Sequence, residues 1–145
     1  MIDINKEIKS AMIAKDKVRL ASLRAVKSAF ILANTEKGAE ELNLEGQIKI
    51  IQKQVKQRKD AAAIYQQQGR LDLVQDELAQ VAILESFLPD QMSETEVTEA
   101  VKEIIADLGA KTMSDMRKVM GVASKKLSAN ADGKIIAAQV RKLLT

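Results

Sequence analysis

The chain of 145 residues contains no cysteine and no histidine, and it has one proline and an aromatic content of 2%. Without cysteine it forms no disulfide, offers no thiolate nucleophile and builds no zinc-thiolate site. Without histidine it lacks the most common general base and the most common metal ligand. The core is therefore expected to consist of Ala, Leu, Ile, Val and Met, which suit helices.

Long apolar runs and phosphate-binding loops are also absent from the sequence. No segment reaches the roughly 18 apolar residues of a membrane span, and no signal-peptide core follows Met1. No glycine-rich phosphate loop, dinucleotide fingerprint or nucleophile with its base occurs. We therefore expect a cytoplasmic protein with no membrane association, no metal, no cofactor and no catalytic residue; the sequence predicts no oligomeric state.

Helix start and stop signals divide the chain into seven predicted helices, and no segment shows the alternation of a strand. The fold class predicted is therefore all-α and multihelical. The first four helices are expected over about 3–14, 16–37, 43–68 and 71–87, with Asp16 and Asn43 as caps and Gly38 and Gly69 as stops. Three more are expected after Pro89, opened by a Ser93/Glu96 capping box, by Thr112 with Asp115, and by Asp132.

The single proline, Pro89, lies in the best candidate for a domain boundary. Residues 1–90 are predicted to form an N-terminal region in which the third and fourth helices make a long antiparallel hairpin, because only a short connection at Gly69 joins them. Residues 91–145 are predicted to form a small C-terminal domain of three helices.

The charge reverses sharply between two adjacent stretches of the chain. Residues 72–107 carry ten acidic and one basic residue, whereas residues 111–145 carry eight basic and two acidic ones, although the net charge is only +3. On helical wheels, Lys118 and Lys125 of the sixth helix and Lys134 and Arg141 of the seventh lie opposite the apolar positions. The candidate nucleic-acid-binding residues are Arg117, Lys118, Lys125, Lys126, Lys134 and Arg141.

Two interpretations of this basic surface remain open. Lys and Arg neutralise phosphates and release counterions, so the surface fits a phosphate backbone. It also fits an ordinary solvated surface, since basic residues near a helix C-terminus interact favourably with the helix dipole. No aromatic residue lies in this region, so recognition of single strands by stacking is not expected. A protein–protein interaction is the alternative function, because the acidic stretch fits a basic partner.

The third helix carries a second basic stripe, made of Lys49, Lys53 and Lys56. The stripe either extends a nucleic-acid footprint or pairs with the fourth helix of the hairpin. The second interpretation is favoured, because the neighbouring antiparallel element supplies Asp72, Asp76 and Glu77.

Two further features have a structural and a functional interpretation. Glu96, Glu99 and Glu103 lie at helical spacing and can ligate a hard cation, but acids in the first turns of a helix are usually solvated groups favoured by the dipole.

A glycine in the middle of a helix, as Gly121 is, lowers helix stability by about 1 kcal/mol relative to alanine. We expect the close approach of another helix or backbone there.

Several short runs, in order along nearly the whole chain, resemble the YqeY family. They are VKQRKD (55–60), GR and DL (69–70 and 72–73), LE and FLP (84–85 and 87–89), KVMG (118–121) and ADGK (131–134). Two positions depart from the family pattern. Arg117 replaces a usual glycine, and Ser128-Ala129-Asn130 replaces a glycine-bearing, basic loop.

The resemblance implies an all-helical fold in two parts. The C-terminal part is similar to the tail domain of the GatB subunit of the tRNA-dependent amidotransferase, which amidates glutamate or aspartate already charged on tRNA. That tail is thought to hold tRNA, while catalysis lies in other domains and subunits. The resemblance thus implies tRNA contact by Lys118, Lys134 and their basic neighbours, and it carries over no catalytic residue. A carbon–nitrogen ligase activity with glutamine as amido donor is the minor alternative implied by family association.

Overall fold

A computed structural model describes residues 1–36 and 41–145. These residues contain seven α-helices and no strand, which confirms the predicted all-α class. A short 3-10 turn, Met113–Asp115, leads directly into the sixth helix. The helices are α1 (Ile4–Ile13), α2 (Lys17–Thr35), α3 (Leu44–Gln67), α4 (Leu71–Glu85), α5 (Glu94–Leu108), α6 (Met116–Leu127) and α7 (Gly133–Leu144).

Side-chain caps start most of these helices where the sequence predicts them. Asp16, Asn43 and Asp132 each accept a hydrogen bond from a backbone N–H of the first turn. Ser93 and Glu96 form a reciprocal capping box at the start of α5, with both N···O distances at 3.2 Å.

Two helix ends differ from the sequence-based prediction. Helix α4 ends at Glu85, before Phe87, because the N–H groups of Phe87 and Leu88 turn back to carbonyls only three residues earlier. Helix α2 ends at Thr35, and the predicted stop at Gly38 lies outside the described residues.

The chain divides into two compact units, Met1–Leu88 and Pro89–Thr145. The division into an N-terminal region over residues 1–90 and a C-terminal domain over residues 91–145 stays a prediction. In the first unit α3 packs mainly against α4, and α2 packs against both. Its largest core cluster contains Val26, Phe30, Ile51, Val55, Val81 and Leu84.

Ion pairs join α3 and α4 through Arg58 and Lys59 of α3. Arg58 lies 3.6 Å from Glu77, and Lys59 lies 3.2 Å from Glu85. Lys49 pairs with Glu45 at 3.4 Å, because the two lie one turn apart on α3. The interpretation that α3 pairs with acids of α4 thus holds for Glu77, with Arg58 as the basic partner.

In the second unit α5, α6 and α7 pack against one another around a core of aliphatic side chains. The loop between α6 and α7 is tied to the segment that precedes α5. The Met92 N–H donates to the Asn130 carbonyl at 2.7 Å, and Asn130 Nδ2 donates to the Asp90 carbonyl at 2.9 Å. Gln91 Nε2 also donates to the Ala129 carbonyl at 2.9 Å. The loop that departs from the family pattern therefore closes the bundle.

Candidate nucleic-acid interface

Helix α6 presents Arg117, Lys118 and Lys125 on the side away from its core contacts. Val119 and Ala123 are fully buried and set the inward side of the helix. Lys118 and Lys125, seven residues apart, therefore point outward, and both are exposed. Arg117 and Lys126 are exposed as well.

Helix α7 is oriented in the same way by its own core contacts. Ile136 and Val140 are fully buried, Leu144 is buried, and Leu143 is partly buried and packs against the core. Lys134 and Arg141 lie on the opposite side, and both are exposed. The sequence-based placement of the candidate residues on outward surfaces of α6 and α7 agrees with their exposure.

The six candidate residues form no ion pair within the part of the chain that the structure describes. Among residues 1–36 and 41–145 none of the six forms an ion pair, whereas Arg58 and Lys59 of the first unit both do. We call this set the basic surface: Arg117, Lys118, Lys125, Lys126, Lys134 and Arg141. Unpaired Lys and Arg side chains leave their charge available to an external anion.

One acid, Asp115, directly precedes the first residue of α6. Its carboxylate accepts hydrogen bonds from backbone N–H groups. Its Oδ2 accepts hydrogen bonds from the N–H of Lys111 at 3.0 Å and of Thr112 at 3.4 Å. These two bonds, with a smaller contribution from the nearby charge of Lys118, lower the pKa of the Asp115 carboxyl below its usual value. Asp115 thus fixes the turn from which Lys118 projects.

The lowered pKa of Asp115 predicts a pH dependence of stability. Because the folded pKa lies below the unfolded value of 3.8, the carboxylate stabilises the fold above that pH and loses this contribution as pH falls through the folded pKa. We expect Asp115→Asn to lower the urea midpoint more at about pH 6 than at about pH 3. A midpoint difference of the same size at both pH values would contradict this assignment.

Gly121 lies at the centre of the outward side of α6, and nothing in the described part of the chain approaches it. A Cβ built at this position would meet no atom within 4 Å. The expectation that another helix or backbone of the chain packs there is therefore wrong. The physical reason is its wheel position, about 200° from Val119 and thus opposite the core. The helical wheel already indicates that position 121 faces away from the core. The expectation of close packing came instead from the helix-propensity cost of a glycine in the middle of a helix.

The acidic side chains of α5 do not meet in a metal-binding cluster. Glu96 is engaged in the capping box, and Glu99 pairs with Lys102 at 3.4 Å. No three Asp or Glu side chains of residues 1–36 and 41–145 come close enough to hold a metal ion. The solvated interpretation of Glu96, Glu99 and Glu103 therefore fits the geometry better than a cation site.

A polar contact between α5 and α7 has no clear signal in the sequence. Gln139 is buried, with 5% of its surface exposed, and its Oε1 accepts from the Thr98 hydroxyl at 2.8 Å. Its Nε2 donates to Glu94 Oε1 at 3.0 Å. These bonds join α7 to the first two turns of α5. The bonds fix the position of α7, which bears Lys134 and Arg141, against α5.

The fold and the site together define a class: an all-helical protein whose C-terminal three-helix unit exposes an unpaired basic surface. The chain belongs to the Yqey-like protein family, whose family model matches residues 2–144. In the described part of the chain, no helix has the length and apolar content needed to cross a membrane.

Three fungal proteins, each named altered inheritance of mitochondria protein 41, mitochondrial, are similar to this chain. The Kluyveromyces lactis protein is 33% identical over 110 residues, which cover 72% of this chain and 58% of that protein. The Lachancea thermotolerans protein is 27% identical over 108 residues, which cover 73% of this chain and 58% of that protein. The Pyrenophora tritici-repentis protein is 29% identical over 108 residues, which cover 72% of this chain and 59% of that protein. The chain therefore spans less than two thirds of the length of these relatives.

Proposed function

We propose that the C-terminal unit binds structured RNA, with tRNA as the ligand, through the basic surface, and that the chain has no catalytic activity of its own. The observation that carries this proposal is the absence of acidic partners for the basic surface within the described residues. A surface that serves only solubility usually carries interspersed charges of both signs. A surface that receives phosphates is served by unpaired cations.

The composition of the unit favours recognition of backbone and shape over recognition of base sequence. Residues 111–145 contain no Phe, Tyr or Trp on which an unpaired base can stack. Contacts from Lys and Arg to phosphates position a protein on a nucleic acid without reading its sequence. Recognition of backbone and shape favours structured RNA as the ligand. The resemblance of the C-terminal part to the amidotransferase tail favours tRNA among structured RNAs. We infer a cytoplasmic location for this activity, whereas the fungal relatives are named as mitochondrial.

The direct test is a titration of labelled tRNA with the full-length chain, followed by fluorescence anisotropy at low salt. We expect weak, saturable binding that unlabelled tRNA competes for and that a single-stranded oligonucleotide of the same length competes for less well. No binding at about 0.05 M salt would reject the proposal.

The exposed acids of α5 favour a basic protein partner as a second candidate function. Glu99, Glu103 and Asp107 are exposed along this helix. A partner captured by the chain and insensitive to excess RNA would favour this candidate over RNA binding. Turnover of glutamine and ATP with mischarged tRNA by the purified chain alone would instead favour the carbon–nitrogen ligase alternative.

A further inference from the structure

An exposed glycine stands at the centre of the basic surface of α6. On a helix, the neighbours of position i lie at i−4, i−3, i+3 and i+4. For Gly121 these four neighbours are Arg117, Lys118, Ser124 and Lys125, and all four are exposed. Three cationic side chains and one hydroxyl therefore surround a patch of helix that has no side chain of its own.

None of the usual structural reasons for a glycine applies at position 121. Positive φ angles occur at Gly69 and Gly109, but not at Gly121, so its backbone conformation is open to any residue. Gly121 lies within α6 and so caps no helix end. A Cβ there would also meet no other atom within 4 Å, so packing among the described residues does not require its absence. The glycine costs helix propensity, and no contact among the described residues offsets that cost.

Helix α7 offers a useful contrast. Its position 138, also exposed and also flanked by basic residues at 134, 141 and 142, carries an alanine. Both helices thus expose basic side chains around a small residue, which is a glycine in the middle of α6 and an alanine in the middle of α7; the one glycine of α7, Gly133, is its first residue. The closest approach of a ligand is therefore expected on α6.

We infer that the sugar-phosphate backbone of the RNA crosses α6 directly over Gly121, in contact with the helix backbone. Lys118 and Lys125 lie about 10 Å apart along the helix axis, one on each side of the glycine, so they contact phosphates before and after the crossing point. Ser124 supplies a hydroxyl that can donate to a phosphate oxygen between them. This inference rests on the proposed RNA binding and adds the place and the manner of contact.

Side-chain substitutions at position 121 test the inference without changing the charge. We expect Gly121→Leu to lower the affinity for tRNA roughly tenfold, because the side chain displaces the RNA backbone from the helix. Gly121→Ala should raise the melting temperature by about 4 °C through helix propensity and still weaken binding. The matched control is Ala106→Leu on α5 of the same unit, where a second exposed small residue receives the same side chain and binding should not change.

The salt dependence separates this inference from the proposed function. The leucine variant keeps all its cations, so the slope of its affinity against salt should equal that of the parent chain while the affinity itself falls. A folded Gly121→Leu variant that bound tRNA as tightly as the parent would overturn the close approach and leave the basic surface standing as the RNA site. A parent chain that bound no tRNA at low salt would overturn both.

Discussion

Replacing Lys118 and Lys125 together by glutamate is expected to lower the affinity for tRNA by roughly 30-fold or more at about 0.1 M salt. Each phosphate contact contributes about 0.75 units to the slope of log K against log salt, so losing two contacts removes about 1.5 decades at that concentration. The two new carboxylates add repulsion to this loss. The fold should survive, because both lysines are exposed and neither forms an ion pair with another described residue.

The matched control places the same charge reversal in the first unit. Lys15 and Lys17 are also exposed, and their replacement by glutamate changes the net charge by the same amount. If the effect comes from net charge alone, the two double variants will bind tRNA with similar affinity. If it comes from the basic surface, only the Lys118/Lys125 variant will lose binding. Affinities measured by anisotropy at one fixed salt concentration decide between these results.

The second large effect is expected from a core truncation in the C-terminal unit. Ile136 is fully buried, and its replacement by alanine should cost about 2–5 kcal/mol. A core as small as that of Pro89–Thr145 rarely supplies more than about 3–5 kcal/mol of stability. We therefore expect Ile136→Ala to unfold this unit in most molecules and to abolish RNA binding.

Leu84→Ala is the counterpart in the first unit, because Leu84 is 1% exposed and belongs to the core there. If the two units fold independently, this variant should lose amide protection only within Met1–Leu88 and should still bind tRNA. Hydrogen exchange of both variants, read residue by residue, measures where protection is lost. Loss of protection throughout the chain in both variants would show one cooperative unit and contradict the predicted domains.

Helix starts and the outward side of each helix were predictable from the sequence, because both depend only on residues close together in the chain. Asp16, Asn43 and Ser93 cap helices because a short polar side chain reaches the N–H groups of the very next turn, which needs no knowledge of the fold. The outward position of Lys118 and Lys125 follows in the same way from helical periodicity alone.

Features that depend on tertiary contacts were not predictable from the sequence. The ion-pair partners of α3 depend on the register of the hairpin, which placed Arg58 against Glu77 and left Lys49 to pair within its own helix. The bond from Asn130 to the Asp90 carbonyl spans 40 positions of the chain.

The salt dependence of tRNA binding tests the central claim most directly. If Lys118, Lys125, Lys134 and Arg141 contact four phosphates, log K for the parent chain should fall with log salt at a slope of about −3. The Lys118→Glu/Lys125→Glu variant should show a slope of about −1.5, because two of those contacts are gone. Equal slopes for a folded variant and the parent, or no binding by either at low salt, would contradict RNA binding by the basic surface.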